Sequence, residues 1–411
     1  MMPPRLAGQR IGAALQHGLL TLAASLLLAA CSTTGETPVS AAPVVQRAAG
    51  TNRPPSGPVP TPVDPRLALR KLTETLLPES LSRDRAGWAA DIAAAFEALQ
   101  LPAAPASLCA AIAVIEQESG FQADPAVPGL SAIVRHEIEA RRRRYLIPQQ
   151  VVDAALSLRS TNGQTWQQRI DALRTESQLS GLYQELIEQL PAGRRLLSGH
   201  DPVRTGGPMQ VSITYAEAHV RSRPPPPLPG ASVRDAVFSR PGGLYFGIAH
   251  LLDYPAPYRD PLYRFADFNA GQYASRNAAF QQALVKLGAG PLQLDGDLLS
   301  YRSGRRDDSI SATRRAVLRL APRLQLSTHA IEADLAQEKT ADFAATALYR
   351  RVFALADAAA RQPLAREILP GIRLVSPKIR SKITTAWFAG RVNTRYGLCL
   401  QRNPEVVQRS R

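Results

Sequence analysis

Glu118 closes the stretch Ala111-Ile112-Ala113-Val114-Ile115-Glu116-Gln117-Glu118-Ser119-Gly120-Phe121. Read as a helix, this stretch places Glu118 one turn beyond Val114 and Ile115 and two beyond Ala111, so its carboxylate caps an apolar row. A carboxyl held against aliphatic neighbours has its pKa raised by desolvation, which keeps a glutamate protonated near neutral pH and able to act as a general acid. Gly120 ends the helix, and Phe121 is placed to fold back over the acid. The plainer reading makes Glu118 the last polar residue of a core helix with Gly120 as its cap. Other chemistry-bearing patterns are sparse. The six histidines show no zinc spacing, no Gly-rich phosphate loop is present and no Ser or Cys stands in a nucleophile elbow, so neither a metal nor a cofactor is expected.

Two further stretches follow in order: Gly206-Gly207-Pro208-Met209-Gln210 and Asp267-Phe268-Asn269-Ala270-Gly271. With the Glu118-Ser119-Gly120-Phe121 helix end, they resemble the lytic transglycosylase domain of the lysozyme superfamily, whose motifs are Glu-Ser-x-Phe, Gly-Leu-Met-Gln and Ala-Tyr-Asn-x-Gly. The resemblance covers about residues 107–130 and 200–285. It implies a peptidoglycan lytic transglycosylase that cleaves the β-1,4 bond between N-acetylmuramic acid and N-acetylglucosamine. Glu118 would first protonate the leaving oxygen and then, as base, take the proton from the sugar's own 6-hydroxyl, leaving a 1,6-anhydromuramic end. By motif position Met209 and Gln210 would line the floor of the glycan cleft, Asn269 would bind sugar or hold its loop, and Gly271 would permit the turn. Ser119 would orient Glu118 or the backbone near it.

The chain departs from that pattern in three places. The leucine before Met-Gln is Pro208, and the tyrosine of the third motif is Phe268, which removes a hydroxyl expected to hydrogen-bond near the acid, with Asp267 in place of alanine before it. The first two motifs are also much farther apart than in the family, so residues of about 131–199 read as a helical insertion containing helices at Val151–Leu158 and Trp166–Leu190. Two other readings of the same cleft follow: a non-catalytic peptidoglycan-binding lipoprotein that uses the insertion for recognition, and a hydrolytic muramidase in which Asp267 or Asp124 activates water. Over nearly the whole mature length, and most closely at Asp84–Gly129 and Gly206–Gln210, the chain also resembles a family of proteobacterial lipoproteins of unassigned function.

The elements that must hold these residues are helical. Alanine-rich and leucine-rich segments dominate, β-branched runs are few and aromatic residues make up only 6%, so a mainly α fold is expected, a lysozyme-like domain with a large helical insertion and a helical C-terminal extension. A helix opens at Arg85-Ala86-Gly87-Trp88; Pro102 and Pro105 break the chain before Ser107, a plausible N-cap for the helix ending at Glu118. Leu244–Leu252 reads as the helix between the second and third motifs. Ser311–Leu320, Thr340–Ala360 and Ser381–Thr394 read as helices of the C-terminal part. The expected division is residues 65–295 for the lysozyme-like domain and 296–411 for a further helical region.

Residues 1–30 carry Arg5, Arg10 and an apolar run ending in Leu28-Ala29-Ala30-Cys31, a signal peptide that resembles the bacterial lipobox. Cys31 is then the lipidated first residue of the mature chain, and Ser32 after it resembles the outer-membrane sorting pattern, which implies attachment to the periplasmic face of the outer membrane. An uncleaved membrane anchor is the alternative. Residues 31–64 are rich in Pro, Thr, Ser and Ala, a tether that cannot bury a core and would reach on the order of 100 Å at ~3.1 Å per residue. The formal charge of +15 demands an anionic partner; in that compartment it is peptidoglycan or lipopolysaccharide, not nucleic acid. Arg141–Arg144 reads either as a grip on such a polymer or as a solvated helix face. Cys109 and Cys399 either pair in an oxidising compartment, tying the C-terminal segment to the helix of Glu118, or remain as two buried thiols.

Overall fold

The computed structural model describes residues 64–189, 201–302, 305–373, 383–403 and 405. The expected signal peptide, Cys31 and the tether up to residue 63 lie outside the described residues. The described chain is mainly helical, with two two-residue antiparallel pairings, Thr205–Gly206 with Val211–Ser212 and Tyr301–Arg302 with Arg305–Arg306. No helix among the described residues is long and apolar enough to cross a membrane.

The central core is built by α1 (Pro65–Leu76), α2 (Arg85–Leu99) and α3 (Pro105–Glu118) with helices from much later in the chain. Helix α3 buries every residue from Leu108 to Ile115, and the three alanines in that stretch let neighbouring helices approach on all sides. It starts two residues before the expected cap: Pro105 occupies the first turn, where its missing N–H costs nothing, and Ser107 lies inside the helix.

The expected insertion forms α4 (Leu130–Arg144), α5 (Gln149–Ser157), α6 (Trp166–Asp171) and α7 (Glu176–Gln189) around a small core of its own, Leu130, Trp166, Ile170, Leu173 and Leu182. The single helix expected from Trp166 to Leu190 is two, because Thr175 and Gln178 cap each other: Thr175 N–H donates to Gln178 Oε1 at 3.2 Å and Gln178 N–H to Thr175 Oγ1 at 3.3 Å.

After the Thr205–Ser212 hairpin come α8 (Ile213–Ser222), α9 (Val233–Phe238), α10 (Arg240–Leu252) and α11 (Pro261–Ala270). Helix α10 packs on α2 and α3, and α11 on α10. A second core joins α12 (Ala274–Lys286) to α13 (Ala312–Leu324), α14 (Thr328–Leu335) and α15 (Ala347–Ala360). Helix α15 starts later than the expected Thr340, since a short 3₁₀ turn at Ala341–Ala345 precedes its cap, Thr346.

The last helix, α16 (Thr385–Gln401), revises the expected boundary at residue 296. Its Phe388, Ala389, Val392 and Cys399 belong to the central core, where it packs along α3 and α11. The part of the chain from 296 to 411 is therefore not one separate region. Cys109 of α3 and Cys399 of α16 are joined by a disulfide with Cα atoms 5.5 Å apart, across 290 residues of sequence.

Candidate active site

Glu118 is the last residue of α3 and is half-buried. Ser119 N–H and its Oγ both donate to Ile115 O, at 3.0 and 3.1 Å, so the hydroxyl closes the helix end and holds the backbone next to the acid. Gly120 takes φ +57°, the left-handed turn that releases the chain. Phe121 does turn back, but onto Trp88 of α2, its ring edge-on at 5.3 Å, and it is buried there. Arg240 of α10 stacks on the other side of this pair, 5.1 Å from the Trp88 ring, and is held by Asp84 and Asp91. Glu116 faces away from Glu118's row, toward Arg395 of α16 at 3.7 Å.

The second motif is a turn pressed against α9 and α10. Gly207 has φ +72°, and a Cβ there would lie 2.1 Å from Val237 O. Met209 is wholly buried against Gly247 of α10, where a Cβ would meet its Sδ at 2.5 Å. Met209 therefore does not line an open cleft floor as expected; it packs in the core against α10. Gln210, half-buried at φ +49°, keeps its position by accepting from Thr205 Oγ1 at 3.2 Å.

The third motif ends α11, and Gly271 makes the exit with φ +109°. Asp267 is fully buried: Oδ2 accepts from Tyr254 and Tyr258 hydroxyls at 3.2 and 2.7 Å, while Oδ1 accepts from Ser275 N–H at 2.7 Å and so anchors the start of α12. Burial raises its pKa despite these bonds. So placed, Asp267 has no access to water to activate, which removes it from the muramidase reading; Asp124 is exposed. Asn269 is tied to the C-terminal helix through Thr385 Oγ1, which donates to its Oδ1 at 3.0 Å.

Phe268 joins a polar and aromatic cluster that the motifs alone did not reveal. Its carbonyl accepts from His250 Nε2 at 3.2 Å, and the two rings stand 5.3 Å apart. Because a carbonyl only accepts, His250 carries its proton on Nε2, leaving Nδ1 as an acceptor sealed from solvent with no hydrogen-bond partner among the described residues. Desolvation pulls the His250 pKa down to about 4. Tyr215 packs edge-on against His250 at 4.6 Å, its hydroxyl bonded to Gln272, whose Nε2 donates to His250 O at 2.9 Å. His219 shares a hydrogen bond of 3.3 Å with Tyr245. The one available signal was helical spacing: Tyr215 and His219 are one turn apart on α8, just past Gln210.

All three motifs thus feed a single core, through Ile115 and Phe121, Met209 and Val211, and Phe265 and Phe268. Two surface cavities, of about 440 and 420 Å³, lie elsewhere; one is lined by Asp295, Asp297 and Asp307 near α12 and α13, the other by Gly129, Leu130 and Arg174 beside the insertion. Among the described residues no cluster of His, Cys, Asp and Glu is arranged to hold a metal ion.

This architecture defines a mainly helical protein in which a disulfide-tied helical core carries a half-buried glutamate at a helix end. The chain belongs to the family described as "Protein of unknown function (DUF1615)", which matches residues 81–402. It is similar to the "Uncharacterized protein YaiW" of Escherichia coli (strain K12), 48% identical over 319 residues that cover 78% of this chain and 86% of that protein. No solved structure matches the chain.

Proposed function

We propose that this protein is a lipid-anchored lytic transglycosylase acting on peptidoglycan glycan strands at the periplasmic face of the outer membrane. Glu118 is the general acid that protonates the glycosidic oxygen as the C1–O bond to the leaving sugar breaks, and then the base that accepts the proton of the 6-hydroxyl as O6 bonds to C1 from the face the leaving group has vacated. No water is consumed and no second carboxylate is required, in keeping with an Asp267 that is locked in the core. Gln210, Asn269 and Phe268 contact or border the glycan, Met209 and Gly271 hold the backbone beneath it, and Ser119 holds the helix end. The observation that supports this reading is that three motifs, far apart in sequence and ordered as in the transglycosylases, contribute to one core that also holds the last turns of α3.

One observation favours a second reading, a binding lipoprotein without catalysis. Phe268 brings no hydroxyl, and the phenols of the surrounding cluster, Tyr215 and Tyr245, are engaged with Gln272 and His219. The deciding experiment is digestion of purified sacculi by the full chain, with mass spectrometry of the released muropeptides. Anhydro-ended products are expected. Products with reducing ends would mean hydrolysis, and binding to sacculi without any product would establish the second reading.

A further inference from the structure

The tip of the insertion, where α4 turns into α5, leaves apolar side chains in solvent. Tyr145 is 64% exposed, Leu146 88% and Val151 56%, and Leu158, at the other end of α5, is 63% exposed. The inner faces of the same helices already pack on the insertion's small core through Val134, Ile138 and Leu156, so the outer residues are not a core in waiting. Helix α5 buries none of its residues.

The turn that carries them is built to hold this arrangement. Leu146 takes φ +54° at the C-terminal end of α4, the left-handed position that glycine ordinarily fills. Ile147 N–H donates back to Arg142 O at 3.0 Å, and Arg142 Nη1 donates to Ile147 O at 3.1 Å, so the turn is closed twice. A large apolar side chain is thereby held in solvent.

The last turn of α4, which leads into this tip, carries Arg141 to Arg144, and the two helices bring three acids, Glu137, Glu139 and Asp153. Glu137 is taken by Arg141, and Glu139 by both Arg142 and Arg143. Asp153 accepts from Gln149. Arg144 makes no ion pair among the described residues and lies over the Tyr145 ring at 5.9 Å. The result is an apolar point with an aromatic flank beside a helix end of net positive charge.

We propose that this tip docks on an anionic lipid surface, with Leu146 and Tyr145 entering the boundary between headgroups and acyl chains and the arginines binding lipid phosphates. Apolar and aromatic side chains flanked by arginine match both layers of such a surface at once, since long basic side chains reach up to the headgroups while their neighbours sit below. A glycan polymer would use the charges but offers nothing to cover Leu146. The proposal is independent of whether Glu118 cleaves anything.

The test uses the full chain carrying Leu146→Cys labelled with an environment-sensitive fluorophore, with the unsubstituted chain as labelling blank and Gln362→Cys as an exposed control. In vesicles of phosphatidylethanolamine and phosphatidylglycerol, the Leu146 label is expected to shift to the blue and to be quenched by lipids carrying a shallow spin label; the Gln362 label is not. Replacing Arg143 and Arg144 by Gln is expected to lower the quenched fraction by roughly fivefold or more, as is high salt, given what each basic residue contributes near an anionic surface. A label that stays water-like in these vesicles overturns the proposal. So does a shift that needs no lipid and rises with protein concentration, which would mean a second copy of the chain, or a shift produced by purified sacculi and not by vesicles.

Discussion

Glu118 and its neighbour Glu116 occupy the same last turn of one helix and meet different surroundings. Glu116 faces Arg395 on α16, whereas Glu118 stands at the helix end beside Ser119 and Gly120. Under the proposed function, Glu118→Gln keeps the shape of the side chain and removes the acidic proton, which should lower the yield of anhydro-ended muropeptides by about 10² to 10⁴. Glu116→Gln should leave that yield close to wild type. The reverse pattern, with both variants folded by circular dichroism, would refute the assignment. His250 makes a second prediction, on stability. Its ordinary pKa of 6.5 falls to about 4 in the folded chain, so between those values the unfolded state takes up a proton that the folded state refuses. Stability present above about pH 6.5 is therefore lost as pH falls toward 4. Burial lowers the His219 pKa in the same sense, while Asp267, raised by burial, acts oppositely and penalises the folded state as pH climbs past 3.8. Melting temperatures measured from pH 7 to 4 should fall less steeply in His250→Gln than in wild type; equal slopes would show that His250 is not the titrating group.

Helices α3, α10 and α16 are the elements on which the site depends, and two contacts hold them. The first is the close approach of α10 to the Met209 turn at Gly247. An alanine there places a Cβ about 2.5 Å from the Met209 sulfur, and such overpacking costs about 1–3 kcal/mol. Gly247→Ala should lower the melting temperature, and Met209→Ala combined with it should cost less than the two changes separately, because the shortened side chain makes room. Strict additivity would mean that the two residues do not press on each other. The second contact is the Cys109–Cys399 bond. It closes a loop of 290 residues, so the double replacement of both cysteines by alanine should destabilise the protein by about 2–4 kcal/mol in denaturant titration. A reducing agent should do the same to the wild type and nothing further to the variant.

At the scale of the whole molecule the chain has two larger cores joined where α11 passes into α12. That joint is stiffened by Asp267, which serves both sides, through Tyr254 and Tyr258 on one and Ser275 N–H on the other. Within the second core, Arg276 is 1% exposed and donates to the carbonyls of Thr340 and Glu338, stacked between Tyr273 and Phe343 at 4.4 and 5.1 Å. Its guanidinium is satisfied by these main-chain oxygens and by Asn277 Oδ1, so it serves as a packed structural cation of this core. The proposed attachment of the entire assembly rests on Cys31. Cys31→Ser should abolish incorporation of radiolabelled palmitate and move the chain from the membrane to the soluble fraction; a labelled, membrane-bound variant would overturn the lipoprotein reading.

Much of the helix pattern was legible from residue order alone, because its causes are local. Near-continuous apolar runs rich in Ala, Leu and Ile mark α2, α3 and α10, and Pro105, Gly120 and Gly271 punctuate the ends that matter. The three motifs and their order are likewise written in short stretches. What each motif residue does within the fold was not, since burial depends on partners tens to hundreds of residues away. Met209 reads as a cleft residue until Gly247 covers it, and Asp267 reads as a reactive carboxylate until Tyr254, Tyr258 and Ser275 enclose it. The boundary drawn at 296 failed for the same reason. Helix α16 has ordinary amphipathic spacing and nothing in it names α3 as its neighbour; only the folded chain brings Cys399 to Cys109 and Thr385 to Asn269, and so makes the far end of the sequence a wall of the core that carries Glu118.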